Sequence, residues 1–131
     1  MKTVFTNGCF DIVHVGHVKL LEYCSKCFPN SRLIVGINSD ESFERIKGRR
    51  PENTAQDRQS VIESIRWVDK AIIFEEDTPF NLIKMLKPDL IVKGADYKVE
   101  EVVGRDIAPV RIFPFLNKKK YSLSRYGSKT R

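Results

Sequence analysis

The chain has 131 residues, 41% of them hydrophobic and 31% charged, a composition typical of one ordinary globular domain. Its sequence shows neither an apolar run long enough to span a membrane nor a signal-peptide pattern, so we expect a single cytoplasmic domain over residues 1–131. The net charge of +6 comes from residues 117–131, which hold six basic and no acidic residues, and the neutral remainder argues against a dedicated nucleic-acid-binding domain.

Short apolar runs alternate with helical patterns along the chain. Helices are predicted at about 17–27, 55–66 and 78–86, with a shorter helical stretch at 40–46. The last long helix is predicted to begin at Asp77-Thr78-Pro79, with a cap residue and a first-turn proline. The predicted strands are 4–6, 33–37, 71–74, 90–92 and 110–113. This alternation predicts an α/β fold, a Rossmann-like doubly wound parallel sheet of about five strands with helices on both faces, whose ligands bind at the carboxyl ends of the strands.

A glycine-containing turn with two histidines joins the first predicted strand to the first predicted helix. His14 and His17 should share one face of the first helical turn, where unpaired backbone N–H groups and the positive end of the helix dipole attract phosphate. Gly16 lacks the side chain that would keep a bulky anion away from the backbone. The alternative is that His14 caps the turn and His17 packs on the helix surface. The surrounding pattern favours a polyphosphate site.

The three cysteines are odd in number and unlike a disulfide framework. Cys24 and Cys27 form a CxxC pair within the predicted first helix, but no second Cys or His pair lies nearby to complete a zinc site. We therefore expect both side chains to be buried as small apolar groups.

A cationic loop follows the short helical stretch, in the sequence Lys47-Gly48-Arg49-Arg50-Pro51. Three cations around a glycine describe a loop that can wrap anionic groups, although a solvated charge run has the same appearance. Arg58, at the start of the next predicted helix, is a further candidate phosphate contact. It is otherwise an ion-pair partner of Asp57 or Glu63.

A second polar cluster, 93–97, follows the fourth predicted strand at the same edge of the sheet as the histidines. Lys93 and Asp96 lie there around a tight turn, where they could hold a sugar hydroxyl or a substrate phosphate. A strand-ending turn with solvated charges is the alternative.

The C-terminal residues 117–131 carry the whole basic excess. Three roles stay open for this tail: contact with nucleic acid or an acidic surface, a cover over the phosphates of a bound nucleotide, or a solvated segment.

Gly-x-Phe-Asp followed by His-x-Gly-His resembles the HxGH nucleotidyltransferases, which include the cytidylyltransferases and the class I aminoacyl-tRNA synthetases. With Lys-Gly-Arg-Arg-Pro and Val-Lys-Gly-Ala-Asp-Tyr, residues 1 to about 116 look like the D-glycero-β-D-manno-heptose 1-phosphate adenylyltransferase domain of ADP-heptose synthases. They look less closely like glycerol-3-phosphate cytidylyltransferase. The resemblance implies transfer of a nucleotide from ATP or CTP to a phosphorylated sugar or alcohol, with Mg²⁺ on the triphosphate, by a homodimer. A non-catalytic nucleotide-binding protein is the remaining alternative.

The resemblance also implies roles for individual residues. The implied catalytic residues are His14, His17 and Lys47. The implied nucleotide contacts are Cys9, Phe10, Asp11, Gly16, Arg49 and Arg58, and Lys93 and Asp96 are implied on the acceptor side. Both families place a Gly-x-Ser-Thr-Thr-like helix start after the last strand; here Ser122 and Ser124 are predicted to replace those hydroxyls.

Overall fold

The computed structural model, which describes residues 1–114, contains five strands connected by helices and one short 3-10 turn. The strands are β1 (Lys2–Gly8), β2 (Ser31–Asn38), β3 (Lys70–Phe74), β4 (Leu90–Lys93) and β5 (Val110–Ile112). The helices are α1 (Val15–Ser25), α2 (Asp40–Lys47), α3 (Ala55–Glu63) and α4 (Phe80–Leu86), with a short 3-10 turn at Val99–Glu101. Ser122, Ser124 and the basic tail lie outside the described residues.

The five strands form one parallel sheet in the order β3-β2-β1-β4-β5. The chain moves from β1 to β2 and β3 on one side, and then returns to place β4 on the other side of β1. This confirms the predicted doubly wound α/β fold. The order in which strands are added to the sheet reverses between β1 and β4. In this architecture, ligands bind in the crevice beside the carboxyl ends of the two strands at such a reversal.

Successive side chains of the central strand β1 point to opposite faces of the sheet, and helices pack against both faces. Val4 belongs to the cluster that contains Leu21 of α1 and Ile62 of α3. Phe5 belongs to the opposite cluster, with Ile83 of α4. The fold therefore buries β1 on both faces and leaves its carboxyl end open toward the side of the sheet where the strands end.

The cysteine prediction is confirmed for Cys24, which is buried in α1, and burial raises the pKa of its thiol far above the usual range. Cys27 is half-buried and lies beyond the end of α1, where its thiol donates to the carbonyl of Tyr23. No metal-binding group of three or more His, Cys, Asp or Glu side chains occurs within residues 1–114.

The predicted start of the 78–86 helix is wrong by two residues, because α4 begins at Phe80. Asp77 does not cap this helix. Its carboxylate instead accepts a hydrogen bond from Nε of Arg45 on α2, at 2.7 Å. Pro79 occupies the N-cap position without a side-chain cap, and the carboxylate of Asp77 is paired with Arg45 instead. In the part of the chain that the structure covers, every helix is too short to cross a membrane.

Candidate active site

A cleft of about 860 Å³ opens over the carboxyl ends of the central strands. Of the residues singled out from the sequence, eight line it: Cys9, Phe10, His14, Gly16, His17, Lys47, Lys93 and Asp96. Asp11, Arg49 and Arg58 do not line it. The fold thus brings together two histidines and two lysines from segments far apart in the sequence.

The two histidines form the start of α1 and also line the cleft. Nδ1 of His14 accepts the N–H of Gly16 at 3.1 Å, and Nδ1 of His17 accepts the N–H of His14 at 3.2 Å. The ring centroids are 4.1 Å apart. His14 therefore both caps α1 and lines the cleft, two roles that the sequence presented as alternatives. Of the backbone N–H groups predicted to be unpaired at this helix start, that of Gly16 is paired with the ring of His14.

The capping bonds also set the chemistry of the rings. A ring nitrogen that accepts an N–H carries no proton, so the proton of each neutral imidazole resides on Nε2. Each ring in this state has an N–H donor at Nε2, the kind of group that binds a phosphate oxygen. The hydrogen-bond pattern thus assigns the same tautomer to both histidines.

The side chain of Phe10 packs against the ring of His17. Its backbone has a φ of +50°, in the left-handed region that is a genuine outlier for a bulky residue. The buried ring packs edge-to-face against the ring of His17, with centroids 5.3 Å apart. A Cβ at Gly8 would lie 3.0 Å from the Phe10 ring, so the glycine leaves room for this conformation. Phe10 thus packs against His17 and also lines the cleft.

Lys47 reaches the cleft from the C-terminal end of α2. Gly48 ends this helix with a φ of +77°, which a residue without a side chain adopts easily. The side chain of Arg49 is directed toward the protein: Nη1 lies 3.6 Å from the carboxylate of Asp11, and the guanidinium lies over the ring of Phe43. Lys47 is therefore the cation of this loop that borders the cleft in the described structure.

Arg58 lies in the protein interior, and its predicted direct contact with phosphate is wrong for this arrangement. Its guanidinium donates to the carbonyls of Cys9 and Asn38, both at 2.8 Å, and to a carboxylate oxygen of Asp40 at 2.9 Å. Its ion-pair partner is Asp40, whereas the sequence predicted Asp57 or Glu63. The carbonyl of Cys9 accepts one of these bonds, while Cys9 also lines the cleft.

Asp11 is buried as well, and its carboxylate accepts the backbone N–H groups of Glu52 and Asn53, both at 2.9 Å. The amide of Asn53 donates in return to the carbonyl of Asp11 at 2.7 Å. Asp11 therefore orients the segment between α2 and α3, and a carboxylate so used has no direct path to a ligand in the cleft.

Lys93 is buried at the floor of the cleft, where β4 ends beside β1. Its Nζ donates to the carbonyl and to the side-chain oxygen of Asn7, at 3.1 and 3.2 Å, and lies 4.4 Å from the ring centroid of Tyr97. Burial lowers the pKa of Lys93 to about 8, and the carboxylate of Asp96 opposes that shift. Asp96 itself is exposed at the cleft.

Sequence reasoning did not identify Asn7, which orients Lys93. A polar residue at the end of an otherwise apolar strand was the available signal. Asn53 was missed as well, and nothing in its local sequence distinguishes it from other loop residues.

Known proteins resemble this chain in sequence and in structure. A family model described as cytidylyltransferase-like matches residues 5–123. "Bifunctional protein HldE" of a Nitratiruptor species is 53% identical over 90% of this chain and 26% of its own length. The protein of the same name from Campylobacter concisus is 52% identical over 90% of this chain and 25% of its own. This chain therefore spans about a quarter of the length of the curated relatives that it matches.

Among solved structures, the lipopolysaccharide core biosynthesis protein from Thermoplasma volcanium GSS1 superposes with a TM-score of 0.70 at 29% sequence identity. The superposition covers 86% of this chain and 93% of that one, so the two folds correspond over nearly their whole lengths.

Proposed function

The chain belongs to the cytidylyltransferase-like family, and from this premise we propose that it transfers a nucleoside monophosphate from a nucleoside triphosphate to a sugar phosphate. The substrates that we favour are ATP and heptose 1-phosphate, with ADP-heptose and pyrophosphate as products. The observation that carries the proposal is the pair of cleft-lining histidine rings, 4.1 Å apart, at the carboxyl end of the central strand.

In the proposed reaction an oxygen of the acceptor phosphate attacks the α-phosphorus of the triphosphate. The bond from the α-phosphorus to the bridging oxygen breaks, and that oxygen leaves with its electron pair on pyrophosphate. The second pKa of a phosphate monoester is about 6, so the attacking oxygen is already ionised at neutral pH. No residue has to remove a proton, and the buried carboxylate of Asp11 is not needed as a base.

The work left to the protein is to position the reactants and to stabilise the charge that moves toward pyrophosphate. His14 and His17 would donate from Nε2 to phosphate oxygens. Lys47 would bridge the acceptor phosphate and the α-phosphate. Lys93 and Asp96 would hold the acceptor, the lysine through its charge and the carboxylate through sugar hydroxyls.

We assign Mg²⁺ to the triphosphate, as part of the substrate. No cluster of three potential metal ligands occurs in residues 1–114, whereas phosphate oxygens and water are the ligands that Mg²⁺ takes readily. The ion would offset negative charge on the triphosphate, which favours attack by an anionic acceptor.

The choice of a sugar phosphate is supported by the similarity to a protein of lipopolysaccharide core biosynthesis, since lipopolysaccharide core is a saccharide. A homodimer, a cytoplasmic location and nucleotide contacts from Ser122 and Ser124 stay predictions.

The reaction can be tested by incubating the full chain and Mg²⁺ with each of ATP, CTP, GTP and UTP. Heptose 1-phosphate or glycerol 3-phosphate would be supplied as acceptor. We expect pyrophosphate release only in the presence of both substrates, fastest with ATP and heptose 1-phosphate, and a product mass equal to ADP-heptose. A preference for CTP and glycerol 3-phosphate would replace the proposed substrates with the cytidylyltransferase pair. Nucleotide binding without pyrophosphate release from any pair would favour the non-catalytic alternative.

The role assigned to Lys93 predicts a dependence of acceptor use on pH. The protonated ammonium attracts the acceptor phosphate, so kcat/KM for the acceptor should be highest below the lysine pKa of about 8 and should fall as the pH rises through it. Lys93→Met should lower kcat/KM at neutral pH and give a flat profile over the same range. Initial rates at varied acceptor concentration and saturating nucleotide measure both effects. An unchanged alkaline limb in Lys93→Met would assign that limb to another group.

A further inference from the structure

Two irregular segments carry or flank the groups that would bind phosphate. The first joins β1 to α1 and leads into the histidines. The second, residues 48–54, joins α2 to α3 and begins directly after Lys47. Because neither has a helix or strand of its own along its length, side-chain hydrogen bonds must fix one relative to the other.

Asp11 provides the direct connection between these segments. Its carboxylate accepts two backbone N–H groups from residues 52 and 53, and its backbone carbonyl accepts the side-chain amide of Asn53. The Asp11 side chain is only 1% exposed, so solvent does not compete for these bonds. A further ion pair links it to Arg49 at 3.6 Å.

Arg58 ties the same two segments to the ends of the central strands. Its Nε donates to the carbonyl of Asn53 at 2.9 Å, while Nη1 donates to the carbonyl of Cys9 in the histidine segment and to that of Asn38 at the end of β2. The side chain is fully buried, and its charge is balanced by Asp40 at 2.9 Å. A buried guanidinium that makes four directed bonds can hold its partners only in one arrangement.

We infer that Asp11 and Arg58 are positioning residues, which fix the histidine segment and the Lys47 loop in the relative placement that nucleotide transfer requires without touching substrate. The inference rests on the proposed function of the cleft. It goes beyond it by assigning a catalytic effect to two residues behind the cleft wall. A displacement of about 1 Å in a reacting geometry can lower a rate by about 10²-fold, so a small shift of either segment would be costly.

Arg58→Lys tests the inference because lysine keeps the positive charge and loses the fork geometry. We expect kcat to fall by about 10²-fold while KM for the nucleotide changes little. Arg32→Lys is the matched control, since Arg32 also joins β1 and β2 through its Nε, which donates to Thr3 at 2.9 Å at the opposite edge of the sheet. The control should leave kcat unchanged.

A second readout needs no turnover. The sequence contains two histidines, both in this site, so the ¹⁵N spectrum of the imidazoles reports on the site alone. We expect wild type to show protonated Nε2 and unprotonated Nδ1 for both rings, and Arg58→Lys to lose this single pattern while Arg32→Lys keeps it. The spectra test the positioning even if the proposed reaction is not found.

Asp11→Asn provides an independent variant should Arg58→Lys fail to fold, because it weakens the contact with residues 52 and 53 and leaves Arg58 in place. It should show the same fall in kcat and the same change in the imidazole spectra. Wild-type kcat and spectra in folded variants, with only the melting temperature lowered, would overturn the inference. A raised nucleotide KM at unchanged kcat would overturn it too, by indicating direct contact with the substrate.

Discussion

Replacement of His17 with alanine is expected to lower kcat for pyrophosphate release by about 10²–10³-fold, the usual effect of removing one preorganised donor from a developing negative charge. The Nε2 donor of this ring is fixed in direction by the bond from the His14 N–H to Nδ1 and by the packing of Phe10. A donor held in this way loses little energy to reorganisation during the reaction. Steady-state pyrophosphate release with saturating nucleotide and acceptor measures the effect.

Because His17 also takes part in the start of α1, the alanine variant removes a capping contact together with the donor. A lost helix cap costs about 0.5–2 kcal/mol of stability. His17→Asn separates the two effects, since its side-chain oxygen is able to accept the His14 N–H but the variant lacks the Nε2 donor. We expect the asparagine variant to melt close to wild type and still to show the full fall in kcat. Lys19→Ala, on the exposed side of the same helix, is the activity control. A His17→Asn enzyme as active as wild type would refute the catalytic role.

The second large effect is expected for Lys47→Gln, which should lower kcat/KM for the acceptor by about 10²-fold. In the proposed reaction Lys47 contacts both reacting phosphates, and its positive charge offsets their mutual repulsion as they approach. Lys47 borders the cleft, and within residues 1–114 its side chain makes no hydrogen bond that would have to break before it contacts phosphate. Rates at varied acceptor concentration and saturating nucleotide show the loss.

Lys84→Gln is the matched control for this substitution. Lys47 and Lys84 each lie in the last turn of a helix, where a cation interacts favourably with the helix dipole, so the two variants lose a similar small stabilisation. Lys84 is exposed and does not line the cleft. Equal activities of Lys47→Gln and Lys84→Gln would show that Lys47 takes no part in the reaction. Lys47→Arg should retain part of the activity, because the charge is kept on a group of different shape.

The sequence predicted the fold and the proximity of the two histidines because both are encoded locally. Runs of apolar residues and the helical patterns between them located the five strands of residues 1–114, and their alternation predicted the parallel sheet that the structure shows. His14 and His17 lie within one turn of helix, so their spacing alone placed them together. Helix boundaries were less well predicted, because local sequence favours Asp77 as a helix cap whereas the tertiary structure pairs it with Arg45.

Only the tertiary structure decided what the charged residues around this centre do. Arg58 and Lys93 look alike in sequence, as cations near the ends of predicted elements, yet one is buried behind the cleft and the other lies on its floor. The reason is that their partners are backbone carbonyls and amide groups from distant segments. Arg58 bonds a carbonyl 49 residues away, and Lys93 bonds Asn7 across 86 residues. Every residue has a carbonyl, so no pattern in the sequence marks the one that a buried cation will meet.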